Sequence, residues 1–289
     1  MGVSAPHAIG ASFRAVGPAG VFFVYMAATL VAPTAYLVWS SVNTPAGLGL
    51  ERYITVLTEP FYLRGFRNSF GLSVLTALEA SAAGALLAGS FAYTLPIRSK
   101  RLLLAFSNLA TNLGGVSLAF AFIALMGTNG MLTIGLRELF GINLYPGFDV
   151  ASFAGLNLVY VYHLTPFAFL ILLPAFRGIR QQWIEAALTL GATRSQFWRH
   201  VGVPVLWPSF LAILILTFAN AFGTYSTAMA LTVGRVNLIP LQIGFLFGEA
   251  AFDTELADAL AVLMIITTSL CIVAYRALSR RTSIWLQNT

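Results

Sequence analysis

Residues 177–208 read RGIRQQWIEAALTLGATRSQFWRHVGVPVLWP, and they lie between two long windows with no charged side chain, 150–176 and 200–234. A helix crosses the hydrocarbon core with about 20 apolar residues, so each window holds one membrane span and the stretch is the loop that joins them. The loop itself predicts two short helices. Glu185 is placed in the first turn of the first, where a carboxylate meets the positive helix end. Gly191 can take the left-handed conformation that ends a helix, and Thr193 or its neighbour can start the next. Pro204 closes that second helix and opens the following membrane span. Trp183, Leu188, Phe197 and Trp198 form an apolar surface that no span requires, of the kind that docks in a partner's groove.

Working outward, the same criterion gives six spans, at about 19–41, 68–95, 102–126, 152–174, 204–232 and 256–278, with 177–203 as the loop between the fourth and fifth. The fold class is all-α and polytopic, one membrane domain over 1–289 with both termini on the same side. The composition agrees: 58% of 289 residues are hydrophobic and 9% charged, against about 25% charged in a soluble domain. An ordinary cytosolic enzyme, a disordered regulator and a secreted disulfide scaffold are excluded. A membrane β-barrel would show alternating segments of about ten residues, and none are present. The N-terminal apolar stretch is too long for a signal-peptide core and lacks a small-x-small cleavage site, so it is read as a retained first span.

The few charges are sorted by side. The side holding the loop and both termini carries 11 of the 16 basic residues, with Glu185 as its single acid. The opposite side carries eight acids, among them Asp149, Glu249, Asp253, Glu255 and Asp258. Basic loops mark the cytoplasmic face, so the net charge of +6 reports membrane topology and not nucleic-acid binding. Docking of an external partner on the acidic loop 248–258, or on the aromatic segment 61–66, is a further expectation.

Several chemistries are excluded. Lys100 is the only lysine and follows Ser99, whereas a phosphate loop needs a glycine before its lysine, so the chain cannot hold ATP that way. His7, His163 and His200 are far apart and H-E-x-x-H is absent, and Gly89-Ser90 lies in no nucleophile frame. No catalytic residue and no metal ligand set is expected. Cys271, the single cysteine, reads as a packing residue of the sixth span.

Glu185-Ala186-Ala187, then Gly191, then Pro204, on the cytoplasmic side between spans four and five, resembles the "EAA" signature of permease subunits of binding-protein-dependent ABC importers. The resemblance extends from roughly residue 67 to 276. It implies the type I importer transmembrane fold and placement in a bacterial cytoplasmic membrane. It further implies that the loop is a coupling helix seated on a cytosolic ATPase, with Glu185, Ala186, Ala187, Gly191, Arg194 and Phe197 as coupling residues. The implied partners are a second permease subunit, identical or homologous, two ATPases that bind ATP and magnesium, and an extracytoplasmic solute-binding protein. This chain would then be no enzyme and carry no cofactor. Thr189-Leu190-Gly191-Ala192, Phe66-Arg67-Asn68-Ser69 and residues 118–122 look most like the polyamine, ferric-ion and phosphonate branch, with a small polar or charged solute. A sugar-type permease, and a secondary transporter or channel without an ATPase, remain as alternatives.

Polar residues within the spans are pathway candidates, since an intramembrane ionisable group is functional by default. Glu79 falls near the middle of span two. His163 falls in the middle of span four, with Tyr160 one turn away. Asn220, Thr224 and Thr227 form a stripe in span five, and Asn108, Thr111 and Asn112 a second one in span three. Glu79, His163 and Asn220 are expected at one depth, as a polar layer that lines or gates the pathway. The plainer reading is hydrogen bonding between helices, typically worth about 0.6 kcal/mol in membranes.

Overall fold

A computed structural model describes residues 8–44, 47–248 and 253–287, with side chains over 20–43, 47–248 and 253–274. His7 and Glu249 fall outside these ranges, as do the side chains of Arg14, Arg276, Arg280 and Arg281. The described residues include six helices long and apolar enough to cross a membrane. In chain order, α1 spans Ala8–Val42 and leads through a two-residue hairpin (Asn43–Thr44 with Gly47–Leu48) to α2, Glu51–Thr58. Helix α3 is Pro60–Tyr93, α4 Ile97–Asn112, α5 Gly115–Met126, α6 Met131–Phe140 and α7 Phe153–Gly178. The loop contributes α8, Gln181–Thr189, and α9, Arg194–Phe197; a π-turn at Trp198–Gly202 then leads into α10, Val203–Gly223. Helices α11 (Ser226–Thr232), α12 (Ile239–Phe247) and α13 (Thr254–Gln287) complete the chain.

Helix α7 is the hub, packing on α3, α4, α5, α10 and α11. Its seam with α3 is built from small residues: Ala80, Gly84 and Ala88 recur at four-residue spacing and are buried, while Ala77 and Ser81 face α10. Membrane helices gain no hydrophobic drive from meeting each other, so close backbone approach through small residues is how they associate. At Gly84 the approach is tightest, because an added Cβ would stand 2.6 Å from the Ala168 Cβ and 2.8 Å from the Phe169 nitrogen. Helix α1 packs along α13 at the edge of the bundle.

The structure departs from the sequence reading at two helix breaks, at Pro204 and on the outer side. The apolar window 102–126 is not one helix: it breaks at Leu113–Gly114, where Gly115 has φ +65°. The window 204–232 breaks after Gly223, at an extended Thr224. The helix before Pro204 is not closed there; the π-turn carries it into α10 without interruption. On the outer side the acids of 253–258 are not a free patch. Asp253 accepts from the Leu256 amide, Glu255 pairs with Arg52, and Asp258 is buried in α13.

Candidate coupling surface and transmembrane cavity

Helix α8 buries none of its nine residues. It leans on the bundle through Ile184 and Ala187, three residues apart on one face, against the core under α7. Glu185, Ala186, Trp183 and Leu188 are exposed, and Leu190 just beyond is 87% exposed. Glu185 is the fifth residue of α8 and not in its first turn, so its carboxylate does not serve the helix end and stands free for a partner.

Both ends of the turn after α8 are tied by the backbone. The Gly191 amide donates to the Leu188 carbonyl and the Ala192 amide to the Ala187 carbonyl, each at 3.0 Å. This double closure requires a left-handed residue at its centre, and Gly191 supplies φ +83°. Thr193 then caps α9: its hydroxyl accepts from the Gln196 amide at 3.2 Å while the Gln196 side chain accepts from the Thr193 amide at 2.7 Å. Such a reciprocal box satisfies two orphan donors at once. Arg194 is exposed at the start of α9.

Phe197 and Trp198 do not belong to the free apolar surface. Phe197 is 2% exposed, and Trp198 meets Tyr93 edge-on with centroids 5.4 Å apart. Both rings face the bundle and anchor the loop to the ends of α3 and α7, so Phe197 supports the exposed face of the loop from behind.

The second site is a cavity of about 490 Å³. Four of the five pathway candidates line it: Tyr160 and His163 from α7, Asn220 and Thr224 from the end of α10. Gly115, Ser226 and Thr227 supply the ends of the two broken helices. Non-helical backbone at membrane depth is tolerated only where protein buries it or a cavity wets it, and the breaks obey this. The Tyr160 hydroxyl donates to the Thr224 carbonyl at 3.1 Å, and the Thr227 hydroxyl donates to the Gly115 carbonyl at 3.2 Å. His163 lies against the other break, where a Cβ on Gly114 would come within 3.2 Å of its ring. The His163 Nδ1 atom is buried and without a hydrogen-bond partner among the described residues.

Four sequence candidates fall elsewhere. Glu79 is on the exposed face of α3, where Asn157 of α7 donates to it; Asn157, an amide inside a span, is a residue that sequence reading passed over. Asn108, Thr111 and Asn112 are outside the cavity, and the Thr111 and Asn112 side chains donate to their own helix.

Residues 84–284 match the family model described as "binding-protein-dependent transport system inner membrane component". The chain is 27% identical over 225 residues to the trehalose transport system permease protein SugB of Mycobacterium tuberculosis, covering 77% of this chain and 75% of that one. It is 23% identical over 241 residues to the putative ferric transport system permease protein FbpB 1 of Haemophilus influenzae, covering 82% of this chain and 36% of that one. The chain thus spans from 20% to 75% of the length of the first curated relatives it matches. Its fold is like that of a chain in the crystal structure of a bacterial alginate ABC transporter in complex with alginate pentasaccharide-bound periplasmic protein. There the TM-score is 0.79 at 16% identity, over 94% of this chain and 96% of that one.

Proposed function

This chain belongs to the family of binding-protein-dependent transport system inner membrane components, and from that premise we propose that it forms half of the translocation pathway of an ATP-driven solute importer. It is a multi-pass inner-membrane protein and an ABC importer permease subunit. The observation that carries the finer reading is α8: a helix with no buried residue, held rigidly at its Gly191 and Thr193 turn, presenting Glu185 and apolar side chains on the basic side of the membrane.

In this reading α8 seats on a cytosolic ATPase that holds ATP and magnesium, and this chain itself catalyses nothing. Two ATPases drive two permease subunits, identical or homologous, and an extracytoplasmic binding protein delivers the solute. Closure of the ATPases moves α8 as a lever, and the bundle switches between two populated states. Tyr160, His163, Asn220 and Thr224 then line the pathway at the broken ends of α5, α10 and α11. The solute is small and polar or charged. A sugar-type cargo is the second reading, favoured by the trehalose relative and by the alginate transporter's fold.

The test is physical contact. The tagged chain, purified from the membranes of its own organism, should elute in one complex with a cytosolic ATPase, and a photocrosslinking residue at Leu190 should capture that ATPase. A chain that elutes free of any ATPase, and moves solute without ATP, contradicts the reading.

A further inference from the structure

Glu79 lies 19 residues after the start of the 34-residue α3 and 14 before its end, deep within the span. It is exposed, at the margin of the buried small-residue seam with α7. Its Oε2 accepts a hydrogen bond from Asn157 Nδ2 at 2.7 Å. The Asn157 amide is aimed in turn by Thr76, whose hydroxyl donates to Asn157 Oδ1 at 2.7 Å and which is fully buried. With its oxygen so engaged, the amide can present only its NH2 group to the carboxylate. The three side chains form a relay from the core to the surface that holds a carboxylate outward. The ion pairs among the described residues are Arg52 with Glu255 and Arg235 with Asp149, so no described cation of this chain neutralises Glu79.

Intramembrane acids face a bundle interior or a water-filled cavity, because contact with acyl chains is costly. The exposed side of α3 beside Asn157 therefore faces protein or water, and not acyl chains, in the membrane. An unneutralised carboxylate at such a place raises the local concentration of cations and repels anions, as acidic side chains do along cation-selective pores. We propose that Glu79, aimed by Asn157 and Thr76, is a cation-selecting group on the water-filled pathway, and that the solute carried past it is positively charged. This rests on the importer reading above and sharpens its solute from polar or charged to cationic.

The experiment uses the complex in native membranes, with Cys271→Ala as background and Ala82→Cys, three residues beyond Glu79, as reporter. Trimethylammonium-ethyl and sulfonato-ethyl methanethiosulfonate are reacted separately, each rate being divided by its rate with free cysteine. Both reagents should react, with the cationic one favoured about tenfold, and Glu79→Gln should bring the ratio close to one. Spermidine should slow the cationic reagent and sulfate should not. No reaction with either reagent, a ratio unmoved by Glu79→Gln, or protection by sulfate would each overturn the proposal. ATP hydrolysis stimulated by the binding protein is followed in the same membranes. Its absence while the charge ratio persists counts against the importer reading and leaves the cation-selecting face standing.

Discussion

Glu185→Lys combined with Gly191→Val is expected to abolish ATP-driven uptake while the chain still inserts and folds. Neither residue holds the bundle together: α8 buries none of its residues, and Glu185 and Gly191 are both exposed. What each change removes is specific to docking. Charge reversal at Glu185 leaves an unpaired charge against the ATPase, a loss of about 2–5 kcal/mol when a charge pair is broken at a buried contact. Even the lower figure is a fall of about 30-fold in affinity. Valine at φ +83° is a β-branched residue in the left-handed region, which costs roughly 1–2 kcal/mol and undoes the closure from Ala192 to Ala187. The lever would then dock poorly and also lose its fixed angle. Uptake into vesicles, ATPase co-elution and the amount of chain in the membrane would be measured together. Normal membrane levels with uptake at background is the expected outcome; uptake near the unaltered level would remove α8 from the coupling role.

Gly84→Leu should have the largest effect on the fold itself. The Cβ of residue 84 has no room, with the Ala168 Cβ at 2.6 Å and backbone at 2.8 Å. Leucine adds three more carbons to the same seam. Overpacking costs typically 1–3 kcal/mol, occasionally more, and here the obstruction includes the backbone of α7, which cannot swing aside. The seam joins the helix that carries Glu79 to the helix that carries Asn157, Tyr160 and His163, so splaying it dismantles both polar sites. Gly71→Leu is the matched control: it lies in the same helix and has nothing within 4 Å. In detergent, Gly84→Leu should show a melting point many degrees lower or no folded peak, and Gly71→Leu should behave as the unaltered chain. Equal behaviour of the two variants would mean that the seam is not tight.

The loop was legible because its signals are local. Gly191, with Thr193 two residues on, specifies a stop and a start whatever the surroundings, and the structure forms both. The start of α8 left no such sign: Arg180 stands at its cap and makes no side-chain bond there, so Glu185 was placed too near the helix end. Helix breaks at 113–114 and 224–225 were hidden for a different reason. Glycine is common within membrane helices, and the apolar composition runs on unchanged through both breaks. The stripe of Asn220, Thr224 and Thr227 survives as a cavity wall although the helix beneath it ends, because α11 brings Thr227 back to Gly115. Phe197 and Trp198 look like free surface in the sequence, since nothing in their spacing says that the loop lies flat on the bundle. Glu79 is visible by charge alone; its alignment depends on the packing of α3 on α7, which brings together Thr76 and Asn157, 81 residues apart in sequence.

The most direct measurement of the central claim is solute uptake into proteoliposomes that hold this chain, its permease partner and the ATPase, with the loaded binding protein outside and ATP trapped inside. Uptake that requires ATP and the binding protein, and that stops with Glu185→Lys and Gly191→Val, is the predicted result. Equal uptake without ATP would contradict the account.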